Sequence, residues 1–386
     1  MNLPLSQYIT NDKLKEYTLV VLISLIPLFL IYLPFLMKTE QLFFLSLPGE
    51  GMSTVLKNWD GPHYIAIART WYNEAALEKF LFAPVPVSTD YYAAHFPLLP
   101  FFIFLLSPIF GWLYSGVAAS ILFGLLLNII FYIVAKKYTK YPLLLTFVFT
   151  VFPPRFLIVR SIIAPETLLV FCIFVSLLLW EKKAYFWSGL AGFFATLTKM
   201  QGIILFPAYV ISGLEHWYTK KRIEWRMLWA LLIPGAYLLI SVLYLEQYGN
   251  FYAFFDAQKS VEMQVYFPFS QFNVENVWTR NAWLEDVVFY FVSMFTLAYL
   301  LHKDKKRSWF YFSVIYSLFL VFIPQRDITR FAAPLVPLFL LQFEKFFTSR
   351  AFIVGLCCAL PAIYFYVINF LIDSAAPVTD WAPYFQ

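Results

Sequence analysis

Residues 96–114 read FPLLPFFIFLLSPIFGWLY, a run apolar enough to cross a bilayer yet interrupted by Pro97, Pro100 and Pro108 and followed by no basic residue. How this run is counted fixes the topology of everything after it. If it crosses, the cluster Lys136, Lys137 and Lys140 falls on the side opposite the N-terminal Lys13 and Lys15. If it lies in or re-enters the outer leaflet, residues 117–135 become the second span and the same cluster returns to the inner side. The bias of Lys and Arg toward cytoplasmic loops favours the second count. It places a non-spanning apolar helix near 97–114 inside a long first outer loop, 38–116.

Composition agrees with a chain built from such runs. Hydrophobic residues make up 61% and charged residues 13%, with a mean hydropathy of +0.70, which excludes a soluble globule. Long apolar runs in place of short alternating segments exclude a membrane barrel, so the expected class is an all-α polytopic membrane protein. Residues 17–37 have no small-residue cleavage site after them and read as an uncleaved first span. Counting onward, with each step checked against the next basic cluster, gives about eleven spans ending in 352–372. A second long outer loop covers 247–286. Several expected spans are short, and the interruptions at Pro153-Pro154 and Lys199–Gly202 point to a water-filled notch on the outer side, because broken backbone at membrane depth persists only where it lines a cavity. No internal repeat and no Gly/Ser-rich linker divides the chain, so 1–386 reads as one domain.

The net charge of +5 is spread over short basic clusters between apolar segments, a topology signal and not a nucleic-acid footprint. Cys172, Cys357 and Cys358 sit in apolar runs without metal-ligand spacing and read as buried side chains.

Ionisable residues close to hydrocarbon are expensive and mark function by default. On the outer side the count leaves Asp60, His63, Asp90, His95, Arg155, Arg160, Glu166, Lys199, Arg326, Asp327 and Arg330. Asp60, followed by Gly61-Pro62, has two readings. One is an N-cap for a short helix beginning there; the other is a base that takes the proton of an attacking hydroxyl. His63, three residues on, is placed to orient that carboxylate, to bind substrate, or simply to sit at the interface. Lys199 and Arg330 each end a span at the outer surface, where they either snorkel or hold a phosphate. Glu166 most simply pairs with Arg160 or Arg155.

The segment Asn58-Trp59-Asp60-Gly61-Pro62-His63-Tyr64, with Ile67-Ala68 and then His95-Phe96-Pro97-Leu98-Leu99-Pro100, resembles the Trp-Asp-x-x-His and Phe-Phe-Pro-x-x-Pro pattern of the PIG-V family, the GPI mannosyltransferase 2 group with its prokaryotic relatives. Ala164-Pro165-Glu166-Thr167-Leu168, Thr198-Lys199-Met200-Gln201-Gly202 and Thr329-Arg330-Phe331 with Pro334 and Pro337 are similar to later motifs of that family. Lys199 stands where relatives often carry Arg, and His95 replaces an aromatic residue, which bears on the identity of sugar and acceptor.

The resemblance implies a GT-C-type integral-membrane glycosyltransferase. Its expected donor is a polyprenyl- or dolichyl-phosphate mannose, transferred with inversion at the outer face to a lipid, glycan or protein acceptor. Asp60 is then the base, and no cofactor is expected, with no divalent cation indicated. On this reading Trp59, His63, His95 and Glu166 bind substrate, while Lys199, Arg330, Arg155 and Arg160 hold the donor phosphate. The compact chain without an Asn-x-Ser/Thr sequon favours a prokaryotic plasma membrane. The rival readings are a flippase or transporter for a lipid-linked sugar, a GT-C transferase for a different sugar, and a membrane scaffold.

Overall fold

The computed structural model describes residues 11–80, 88–260, 267–272, 281–303, 306–323, 327–375, 378 and 381–385. Parts of the expected loop 247–286, together with Lys305 and Gln325-Arg326, lie outside the described residues.

Among the described residues the chain is helical, save for a hairpin of two short strands in which Gln41 pairs with Ser46 and Leu42 with Leu45. The helices that frame the bundle are α1 (Asn11–Leu36), α2 (Gly61–Thr70), α3 (Leu98–Ala135), α4 (Pro142–Val151), α5 (Pro154–Ser161), α6 (Glu166–Glu181), α7 (Tyr185–Thr198), α8 (Leu205–Lys220), α9 (Leu232–Tyr248), α10 (Asn281–His302), α11 (Arg307–Val321) and α12 (Arg350–Asp373). Among the described residues five helices are long and apolar enough to cross a membrane: α1, α3, α9 with the turn before it, α10 and α12. Counting the bent pair α4 and α5 as one span makes six. Outward-facing Phe289 on α10 and Val354 on α12 are more than half exposed, as side chains facing lipid are.

The difference from eleven expected crossings has a physical origin. Each hydrophobic run in the sequence reads as one crossing, but the structure builds α6, α7, α8 and α11 as helices of only 14 to 16 residues, whereas a full crossing needs about twenty. The expected break at Pro153-Pro154 is present, and α4 and α5 meet there at 74°. The deciding run 96–114 is continuous with 117–135 in sequence but not in direction, because Gly111 adopts φ 69°, ψ 164° and breaks α3. That backbone is open to glycine and strained for other residues. The half before Gly111 leaves Phe101, Leu105 and Ile109 exposed.

Hydroxyls join the short helices where apolar contact alone gives little specificity. Ser176 on α6 donates to the carbonyl of Ser188 on α7 at 2.8 Å and lies 2.7 Å from the Tyr209 hydroxyl of α8. Trp180 stacks on the Tyr209 ring at 3.8 Å. Cys172 is buried as expected, but Cys357 and Cys358 are exposed on the outward face of α12. An apolar run does not say which of its faces meets lipid.

Candidate functional site

Six helix ends or turns converge on one charged cluster and deliver seven polar side chains to it. Asp60 precedes α2, His95 precedes α3, Arg155 lies in the first turn of α5 and Glu166 opens α6. Lys199 ends α7, Asp327 begins the short turn Ile328–Phe331, and Arg330 lies within that turn. Helix ends suit this purpose because the backbone leaves the helical ladder there and aims side chains along the axis.

Asp60 occupies the N-cap position of α2 but makes no capping hydrogen bond. Its carboxylate turns instead to His95 Nε2 at 3.7 Å and the Arg330 guanidinium at 3.7 Å, which removes the bland alternative for this residue. Trp59 just before it has φ +48°, a sparsely populated region for a non-glycine residue that persists only when its surroundings enforce it. The enforcement comes from the far end of the chain. Trp59 N–H donates to the Ser374 carbonyl, and the Asn58 amide donates to the Leu371 carbonyl at the end of α12. The Trp59 ring meets Phe370 edge-on and carries two guanidinium groups, Arg330 at 4.1 Å and Arg155 at 4.9 Å from its centroid.

Glu166 is 1% exposed and is the hub of the cationic side. Lys199 Nζ donates to its Oε1 at 2.7 Å, and Arg330 Nε donates to the same oxygen at 2.6 Å. The expected pairing of Glu166 with Arg155 or Arg160 is therefore replaced, because the chain brings the more distant Lys199 and Arg330 to it. Arg155 is instead bound to Asp327, with Nε donating to Oδ1 at 2.7 Å. The turn bearing Lys199 packs tightly on α7. A Cβ on Gly202 would fall 2.3 Å from the carbonyl carbon of Ala195, so this position admits only glycine. Tyr316 donates to the Phe331 carbonyl at 2.8 Å and anchors the turn that carries Arg330.

His95 is buried behind Asp60 in an aromatic box. The rings of Tyr64, Tyr91 and His63 approach it at 5.1, 5.0 and 5.3 Å. Its carbonyl accepts hydrogen bonds from two buried hydroxyls, Tyr72 at 2.6 Å and Tyr244 at 3.4 Å. These two tyrosines were not among the sequence candidates, and nothing in their spacing marks them. His63 meets Tyr91 and Tyr92 edge-on. Both imidazoles are thus walled in, whereas the Asp60 side chain is 29% exposed, the most open of the charged groups.

Burial by itself raises the Asp60 pKa, but His95, Arg330 and His63 outweigh it and hold the carboxyl well below the usual carboxylate range. Burial above all pushes His63 down to about 3, so it is neutral at physiological pH. The ion pairs balance: the carboxylates Asp60, Glu166 and Asp327 face the cations Lys199, Arg330 and Arg155.

Arg160, expected at the donor phosphate, belongs elsewhere. It is 2% exposed, donates to Asn128 Oδ1 at 2.7 Å, and packs over the rings of Phe149 and Phe156. Asn128 in turn donates to Ser24 and Thr150, so this network ties α1, α3, α4 and α5 together. Asp90 is not joined to the cluster by any ion pair among the described residues. No group of three or more His, Cys, Asp or Glu residues placed to hold a metal ion occurs among the described residues. No family model matches the chain, and no curated protein is similar enough to it to register as a relative.

Proposed function

We propose that this membrane protein is a glycosyltransferase that moves a hexose, mannose by the sequence resemblance, from a polyprenyl- or dolichyl-phosphate carrier to a hydroxyl of a lipid, glycan or protein acceptor. The reaction faces the outer side of a prokaryotic plasma membrane in a GT-C-type bundle. The observation that carries the reading is the Asp60 carboxylate, released from its capping role and partly open, beside the paired cations Arg330 and Lys199.

The donor phosphate binds next to Arg330 and Lys199, and its carrier chain lies in the bilayer. Asp60 accepts the proton of the acceptor hydroxyl as that oxygen forms a bond to the anomeric carbon from the opposite face. The bond from that carbon to the phosphate oxygen breaks, and its electron pair leaves with the carrier phosphate. The added negative charge on the phosphate is met by the guanidinium and ammonium groups, an electrostatic contribution of the kind that usually dominates. A carboxyl held so far below its usual range is a weak base in the free protein. The incoming phosphate corrects this, because it draws Arg330 to itself and places a like charge near Asp60, and both effects raise the proton affinity of the carboxylate.

The test is incubation of the purified protein with a panel of polyprenyl-phosphate sugars and acceptors, reading release of free carrier phosphate. Release with one sugar that is lost in Asp60→Asn supports the reading. Release from none overturns it.

A further inference from the structure

The outer cluster matches every cation with a carboxylate, but the other end of the same helices does not. Helix α8 starts just beyond Lys199 and runs 16 residues to Lys220, about 24 Å at the helical rise. There Lys221 takes a left-handed conformation, φ 54°, and its N–H closes the helix on the Trp217 carbonyl. The chain then turns back through Arg222–Glu224 into the tight turn Trp225–Leu231 that leads to α9. Between them lies a hollow of about 500 Å³ lined by His216, Lys220, Arg222, Ile223 and Glu224.

The charge in this hollow is unbalanced. Glu224 is its only acid. The nearby Glu215 is already bound to Arg307, whose Nε lies 2.8 Å from its carboxylate. Among the described residues neither Lys220 nor Arg222 has a carboxylate within ion-pair distance. Trp217 and Trp225, neighbours in sequence of the lining residues, stand exposed, and such rings favour the headgroup level of a bilayer. Leu214 and Leu228, also exposed, extend the apolar surface away from the hollow.

We infer that this hollow is a binding site for the phosphate headgroup of an anionic phospholipid. Arg222 offers a planar fork to the phosphodiester and Lys220 a point charge. Trp217 and Trp225 hold the glycerol level, and the acyl chains lie along Leu214 and Leu228. The inference does not depend on the proposed transfer reaction, since it uses different residues at the opposite end of α8.

Native mass spectrometry of the purified full chain tests it, with phosphatidylglycerol and phosphatidylcholine as probes. The wild type should retain phosphatidylglycerol in preference, and K220Q/R222Q should lower that retention roughly thirtyfold, from the attraction of two surface charges. The control K182Q/K183Q removes two basic residues that do not line this hollow, and it should leave retention unchanged. An equal loss in both double variants would mean a diffuse field and no site. Equal retention of both lipids by the wild type, or displacement of phosphatidylglycerol by millimolar inorganic phosphate, would also overturn the inference.

Discussion

The bundle contains two buried polar assemblies around arginine, and they are built on opposite plans. Around Arg160, an amide oxygen and a backbone carbonyl meet the guanidinium with no carboxylate in ion-pair distance among the described residues, and two aromatic rings pack against it. Around Arg330, two carboxylates, a lysine and two histidines are gathered, and Asp60 keeps an open edge. The first plan spends no charge that a reaction could use and joins four helices. The second gathers costly charges at helix ends, where a fold has no structural need of them. On the proposed function, burial alone does not mark the site; opposed charges with one exposed member do.

Replacing the exposed member should break this contrast most strongly. Asp60→Asn keeps the shape of the side chain and leaves the Glu166, Lys199 and Arg330 pairing intact, so the solubilised protein should still fold, with some loss of stability at neutral pH because the depressed carboxylate is gone. Transfer from the lipid-phosphate donor should fall about 10²- to 10⁴-fold, the usual contribution of a positioned base. Full activity in Asp60→Asn would put the two assemblies in the same structural class. Glu166→Gln acts on the hub instead. It leaves Lys199 and Arg330 buried without their carboxylate and should cost about 3–5 kcal/mol of stability, as loss of one partner of a buried pair does. Chemical unfolding in detergent would show it, and a loss under about 1 kcal/mol would mean that Asp60 alone satisfies both cations.

The opposite assembly should respond in the opposite sense. Arg160→Met strands the Asn128 carbonyl oxygen and should destabilise by about 1–3 kcal/mol, while transfer per folded molecule stays near the wild-type value. A loss of transfer without a loss of stability would return Arg160 to the donor site where the sequence first placed it.

That misplacement shows what the sequence can carry. Asp60, His95, Lys199 and Arg330 are legible because each is an ionisable residue at the edge of an apolar run, and helix ends on one side of a bundle have few places to go. Arg160 stands at such an edge too. What separates it is Asn128, 32 positions earlier on α3, and no local pattern reports that contact. The same limit applies to Glu166, whose partners lie 33 and 164 positions away, and to Tyr72 and Tyr244, which act only through the His95 carbonyl. Helical class and the break near Pro153-Pro154 follow from composition and proline chemistry alone. Crossing number does not, because a run of about fifteen apolar residues reads alike whether it spans alone or packs as one arm of a bent pair.

Acid sharpens the comparison within the Arg330 assembly itself, since Asp60 and His63 are both shifted downward but titrate in different windows. Asp60 is charged in the folded protein and its depressed pKa supports folding at every pH above the ordinary carboxylate value of about 3.9. It contributes no change between about pH 7.5 and 5.5. His63, pushed down to about 3, stays neutral when folded, while the unfolded chain takes up a proton near the ordinary histidine value of about 6.5. The unfolded state therefore binds more protons across that window, and stability falls as pH drops. One unit below the ordinary value, the loss from this residue is about 1.4 kcal/mol. In His63→Phe the difference in unfolding free energy between about pH 7.5 and 5.5 should shrink by that amount, whatever the substitution does to stability at neutral pH. An unchanged difference would mean that His63 is protonated in the fold, and the aromatic wall behind Asp60 would then carry a charge of its own.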